Sequence, residues 1–113
     1  MTRERLPNRR EAETIAFDHG GWRWRACFSR FSDGRLGEVF LDAERESPIA
    51  EAARESALLA SIALQHGCPL ETLRHALDGR DIGPLAAALT AIAGFAGIHG
   101  GEAKADASSL ISC

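Results

Sequence analysis

A chain of 113 residues has room for one domain, and by size scaling it buries roughly two-thirds of the surface that its unfolded form exposes. Its 45% hydrophobic and 26% charged residues are those of an ordinary globular protein and exclude a low-complexity or fibrous chain. The net charge is only −3, no apolar run reaches membrane-spanning length, and the start lacks the apolar core of a signal peptide, so the expected location is the cytoplasm, with no membrane partner.

The chain opens on a basic arm. Residues 1–10 carry Arg3, Arg5, Arg9 and Arg10 against Glu4, a net +3, and leave nine basic and fifteen acidic residues, a net −6, for the remainder. Four arginines beside Pro7 and Asn8 predict a flexible, solvated arm that also has the charge to touch phosphate. Glu11 to Asp18 alternates, with Ile15 and Phe17 on one side, and predicts a short strand. His19-Gly20-Gly21 predicts a tight turn, because glycine reaches the positive φ that hairpins demand.

Trp22 to Phe31 alternates most clearly. Trp22, Trp24, Ala26 and Phe28 share one face and Arg23, Arg25, Cys27 and Ser29 the other, the signature of a half-buried strand. Ser32-Asp33-Gly34-Arg35 supplies a second turn, and Leu36 to Leu41 returns as a third strand. Three sequential strands joined by tight turns predict an antiparallel meander, the smallest sheet that is stable with a helix on it.

Asp42 to Glu46 is a charged connector. Ser47-Pro48 then starts a helix, serine as cap and proline at the first helical position. Ile49, Ala52, Ala53, Ser56, Leu59, Ala60, Ile62 and Ala63 fall at helical spacing, and their small size predicts a close approach to the sheet. Gly67 ends this helix. Cys68-Pro69 opens a second, shorter one with Leu70, Leu73 and Leu77 inward, stopped by Asp78-Gly79. Gly83-Pro84 opens a third with Leu85, Leu89 and Ile92.

The expected fold is therefore α+β: a three-stranded antiparallel β-meander followed by two or three α-helices packed on one face. The domain spans 11–93, and residues 94–113 form a disordered Gly/Ala/Ser-rich tail on which Phe95 and Ile98 are the docking candidates. The expected core is Ile15, Phe17, Trp24, Phe28, Val39, Leu41, Leu59, Ile62, Leu73, Leu77, Leu85 and Leu89.

The candidate binding residues are Arg23, Arg25, Arg30, Arg35 and Glu38. Interleaved with Trp22, Trp24 and Phe28, the arginines suggest a sheet that stacks a base and holds a phosphate. Alternation itself, however, puts aromatics and arginines on opposite faces, which favours buried tryptophans and a wet arginine face. Arg35 and Glu38 read equally as ligand contacts or as a cross-turn charge pair. His66, Cys68 and His75 offer only three metal-ligand candidates, split by a helix end, where a structural zinc site uses four. The three cysteines, Cys27, Cys68 and Cys113, form no CxxC motif and suggest no disulfide framework. Cys113 is a lone thiol, which cannot complete a disulfide exchange by itself. No nucleophile arrangement, paired-carboxylate motif, P-loop or dinucleotide fingerprint is present, so no catalytic residue, metal or cofactor is expected in this chain.

Several of these features recur together. Asp33-Gly34-Arg35 is followed by Gly37-Glu38-Val39-Phe40, by a helix carrying Ser61, Leu64, Gln65, His66 and Gly67, and then by Pro69-Leu70-Glu71. From about Glu13 to Leu77 this resembles the TSCPD domain, found near the C-terminal end of cobalamin-dependent ribonucleotide reductases and as small free-standing proteins. The Thr-Ser-Cys-Pro-Asp string that names the family is absent, as is the cysteine-rich metal-binding run of the reductases. The resemblance implies a non-catalytic accessory or binding module in nucleotide metabolism, acting through a reductase, another protein or a bound nucleotide. Two alternatives stand beside it. One is a small nucleic-acid-binding protein using the arginine face and the arm; the other is an accessory subunit needed for ribonucleoside-diphosphate reduction by a larger chain. An exposed aromatic face would add homodimerisation.

Overall fold

The alternation that begins at Trp22 becomes the middle strand of a three-stranded antiparallel sheet. The structure is a computed structural model that describes residues 2–7, 11–78 and 83–95. Strand β1 is Ala12–His19, β2 is Trp22–Arg30 and β3 is Leu36–Ala43, in the spatial order β1-β2-β3. The first pair runs from Ala12 opposite Ser29 to His19 opposite Trp22. Gly20 and Gly21 close it with φ of 63° and 82°, the doubly left-handed loop whose twist matches that of the strands. The second pair runs from Trp24 opposite Ala43 to Arg30 opposite Leu36, with a register shift between Ser29 and Arg30. Such a bulge bends the strand end and re-aims its side chains.

One face of the sheet is dry. Trp24, Ala26, Phe28, Val39 and Leu41 are buried there, while Arg23, Arg25, Phe40 and Asp42 face outward and are exposed. The Trp24 ring stacks near Phe17 at 6.5 Å and Trp22 at 6.3 Å between centroids, and its indole N–H donates to the carbonyl of His19 at 3.1 Å. The large apolar ring is thus buried without orphaning its one polar atom. Phe28 meets Phe95 edge to face at 5.4 Å, so the expected docking of Phe95 is observed. Ile98 and the expected tail beyond residue 95 lie outside the described residues, as do residues 8–10 and the Gly79 of the expected helix stop.

Helix α1 is Pro48–Gln65, α2 is Leu70–Leu77 and α3 is Pro84–Ala93. Ser47 caps α1 as its sequence suggests, its hydroxyl accepting from the Ala50 N–H at 3.0 Å. Gly67 follows with φ 99°, the conformation that glycine supplies just past a helix end. Helix α1 packs along β3, and α3 packs against β1. The architecture is the expected α+β meander with three helices.

The buried face of α1 is not the expected one. Leu59 is 67% exposed and Ile49 57%, and Ile62 is only half-buried. The residues facing inward are Ala50, Ala53, Ala57, Ala60, Ser61, Leu64 and Gln65. The helix is rotated so that a mainly alanine stripe ending in Leu64, rather than Leu59 and Ile49, turns inward, and it lies close enough to β3 for Ser61 and Gln65 to reach that strand's backbone. Leu36, Leu64, Leu70 and Ile92 supply core bulk in place of Leu59. No helix among the described residues is long and apolar enough to cross a membrane.

Candidate functional site

The turn between β2 and β3 is built to hold one guanidinium. The Phe31 N–H donates to the Arg35 carbonyl at 2.8 Å and the Gly34 N–H to the Phe31 carbonyl at 2.9 Å. Asp33 then accepts the Arg35 backbone N–H at 3.1 Å and its Nε at 2.8 Å. The Arg35 guanidinium lies over the Phe31 ring, 4.6 Å from its centroid, a cation–π arrangement. Its Nη2 donates to both carboxylate oxygens of Glu4, at 3.1 and 2.9 Å. Partial burial of Arg35 disfavours its charge, but the hydrogen bonds to Asp33 and Glu4 outweigh this and raise its pKa above the ordinary value. Conversely, the Arg35 backbone N–H and then its side chain hold the Asp33 carboxyl below its ordinary value of 3.8.

Glu4 belongs to the N-terminal arm, and the arm runs along a groove between β3 and the end of α1. The Glu4 N–H donates to the Gln65 carbonyl at 2.5 Å, one of the four carbonyls that a helix end leaves without an intrahelical partner. Arg3 Nε donates to Gln65 Oε1 at 2.5 Å, while Gln65 Nε2 donates to the Gly37 carbonyl at 2.9 Å. Leu6 sits over Gly37 so closely that a Cβ there would overlap it and come within 3.2 Å of the Phe31 ring. Beside the arm a cavity of about 430 Å³ is lined by Arg3, Glu4, Arg5, Leu6, Glu38 and Gln65. Glu38 is buried in its wall.

The five candidate residues are split between two regions of the sheet. Arg35 and Glu38 come together at the arm groove. Arg23 and Arg25 lie on the open sheet face, each beside a carboxylate: Arg23 bonds Asp18 at 3.0 Å and Arg25 stands 3.8 Å from Asp42. Arg30 pairs with Glu13 at the end of β2 that borders the β2–β3 turn, opposite Leu36 on β3. Alternation does place the arginines opposite the buried Trp24 and Phe28, so no stack-and-clamp surface forms with those two rings.

Among the described residues no three His, Cys, Asp or Glu side chains are grouped to hold a metal ion. His66 turns back onto its own helix, its Nδ1 3.0 Å from the Ile62 carbonyl. Cys27 lies on the open face with its Sγ 3.5 Å from Thr14 Oγ1. Cys113 lies outside the described residues. A second, apolar groove of about 380 Å³ runs beside α1, lined by Ile49, Ala52, Ser56, Leu77, Pro84 and Leu85 among others.

Glu4, Leu6, Gly37 and Gln65 were not legible as site residues. The available signal was Ser61 with Gln65, two polar residues one helical turn apart on an otherwise alanine-rich stripe. Polar groups so placed have backbone to satisfy.

No family model matches the chain, and no solved structure matches it. Curated relatives do. The chain is 40% identical over 70 residues to the vitamin B12-dependent ribonucleotide reductase of Agrobacterium fabrum, covering 61% of this chain and 6% of that protein. It is 38% identical over 72 residues to the enzyme of the same name from Rhodopirellula baltica, covering 63% and 7%. With that of Bradyrhizobium diazoefficiens it shares 34% identity over 70 residues, 61% and 6%. The chain thus spans about one-fifteenth of the length of these relatives, and it is related to one short part of them.

Proposed function

We propose that this relative of a short part of B12-dependent ribonucleotide reductases is a non-catalytic, TSCPD-like binding module in nucleotide metabolism. It works in the cytoplasm by engaging a protein partner, and the reductase itself is the first candidate. The observation that carries this reading is the match of about three-fifths of the chain to so small a share of a much longer enzyme. The candidate arginines are engaged chiefly in ion pairs with the chain's own carboxylates, the arrangement of a structural or docking surface rather than of a reacting centre.

A protein is favoured over a nucleotide by what the surface offers. Arg23 and Arg25 already face carboxylates, so a phosphate would have to displace Asp18 and Asp42. Phe40 at 48%, Leu58 at 52% and Leu59 at 67% exposed instead present large apolar side chains, the kind of contact around which protein interfaces are built.

The test is a biosensor titration of the full-length protein with a purified B12-dependent ribonucleotide reductase, alongside a thermal-shift screen against ribonucleotides, deoxyribonucleotides and single-stranded DNA. The expected result is saturable binding to the reductase that weakens at least tenfold in a Leu58→Asp/Leu59→Asp variant, an apolar contact of that size being worth about 1.4 kcal/mol or more. Absence of reductase binding together with a thermal shift by nucleotide would replace this reading with a nucleotide-binding one. A steeply salt-dependent shift by DNA alone would favour nucleic-acid binding.

A further inference from the structure

The groove under the N-terminal arm is organised by contacts that do not involve the arm. Asp33 and the Phe31 ring hold the Arg35 guanidinium. The carbonyl of Gly37 holds the Gln65 side-chain amide, and the missing Cβ of Gly37 leaves a notch wide enough for a leucine. These are receptor groups with fixed positions: a cation presenting two donors, a free helix-end carbonyl, and an apolar notch.

The arm answers each of them in turn. Glu4 gives its carboxylate to Arg35 and its N–H to Gln65, and two residues later Leu6 fills the notch. Glu4 and Leu6, two residues apart, thus serve both anchors. Yet the arm is held lightly. Thr2, Arg3, Glu4 and Arg5 are all exposed, and the Arg35–Glu4 pair is partly exposed. Contacts of this kind belong to the low-stability end of a protein, which opens first.

We propose that this groove is a peptide-docking site for an extended segment of a partner protein carrying an acidic residue two positions ahead of a leucine, and that the chain's own arm occupies it as a displaceable placeholder. The inference rests on the reading that the chain acts through a protein partner, and it specifies the chemistry of that partner's contact. The arm competes intramolecularly, so the apparent affinity for an incoming segment is reduced by the fraction of time that the groove is open.

The experiment uses the full-length chain and a synthetic amidated peptide, TRERLP, copied from Thr2–Pro7, followed by amide chemical shifts. In a Glu4→Ala/Leu6→Ala variant, whose own arm no longer competes, the peptide shifts the amides of Arg35, Gly37 and Gln65 and saturates. The unaltered chain needs roughly five- to tenfold more peptide, the ratio expected if its arm is docked 80–90% of the time. Replacing the glutamate of the peptide by glutamine, which leaves the protein untouched, abolishes the shifts. Equal binding by the two chains, shifts elsewhere, full binding of the glutamine peptide, or no binding to the variant would each overturn the proposal. None of these outcomes depends on whether a reductase binds.

Discussion

Ser61 hydrogen-bonds both backbone groups of Val39: its Oγ accepts the Val39 N–H at 2.8 Å and donates to the Val39 carbonyl at 2.9 Å. Val39 lies on the edge strand, opposite Phe28 on its inner side, so these are groups that a fourth strand would otherwise take. One helical turn on, Gln65 does the same for the Gly37 carbonyl. Two residues of strand span about 6.8 Å and four residues of helix about 6.0 Å, so residues 37 and 39 match 65 and 61 in antiparallel order. Helix α1 thereby covers this part of the sheet edge, a place where unpaired backbone invites association.

Removing that hydroxyl leaves two buried backbone groups without their partner. Ser61→Ala is expected to cost about 1–3 kcal/mol, read as a lower midpoint in urea unfolding with an unchanged slope. An unchanged midpoint would mean that water replaces the serine.

The rotation of α1 gives an opposed pair of substitutions. Leu59→Lys, at an exposed position, is expected to change stability by no more than about 0.5 kcal/mol. Leu64→Ala, at a site 2% exposed, is expected to cost about 2–5 kcal/mol. Calorimetric melting of the two variants decides which face is inward.

Gly37→Val fills the notch under Leu6. The added side chain also crowds the buried Phe31 ring, which a Cβ would approach to 3.2 Å, so the expected loss of stability is about 1–3 kcal/mol, the scale of overpacking. The arm is displaced. Trypsin is expected to cut after Arg3 and Arg5 faster than in the unaltered chain, while cleavage within the domain is unchanged.

The Asp33 carboxyl titrates below its ordinary 3.8 because the folded turn hydrogen-bonds its charged form. A depressed folded-state pKa contributes stability that is present above the unfolded value and is lost as pH falls through the folded one. The acid side of the melting-temperature profile below pH 3.8 should therefore be flatter in Asp33→Asn, with little difference between the proteins at neutral pH beyond a constant offset. An acid limb as steep as that of the parent would show that Asp33 carries none of it.

The meander, its turns and the three helix starts were legible in the chain because each is a local effect. Period two separates Trp24 and Phe28 from Arg23 and Arg25 whatever surrounds them, glycine pairs reach positive φ wherever they stand, and Ser47 caps its own helix. What local pattern left open was which stripe of α1 turns inward, since Ile49, Leu59 and Ile62 are spaced as well for burial as Ala53, Ala57 and Leu64. The distance from α1 to β3 decided it, because a stripe of small residues allows that approach and Ser61 and Gln65 satisfy the strand that they approach. The site depended on tertiary structure still more. Glu4, Arg35, Gly37 and Gln65 are separated by as many as 61 residues, and no spacing rule links them. Their meeting follows from the arm crossing the point where the second turn of the meander and the end of α1 converge.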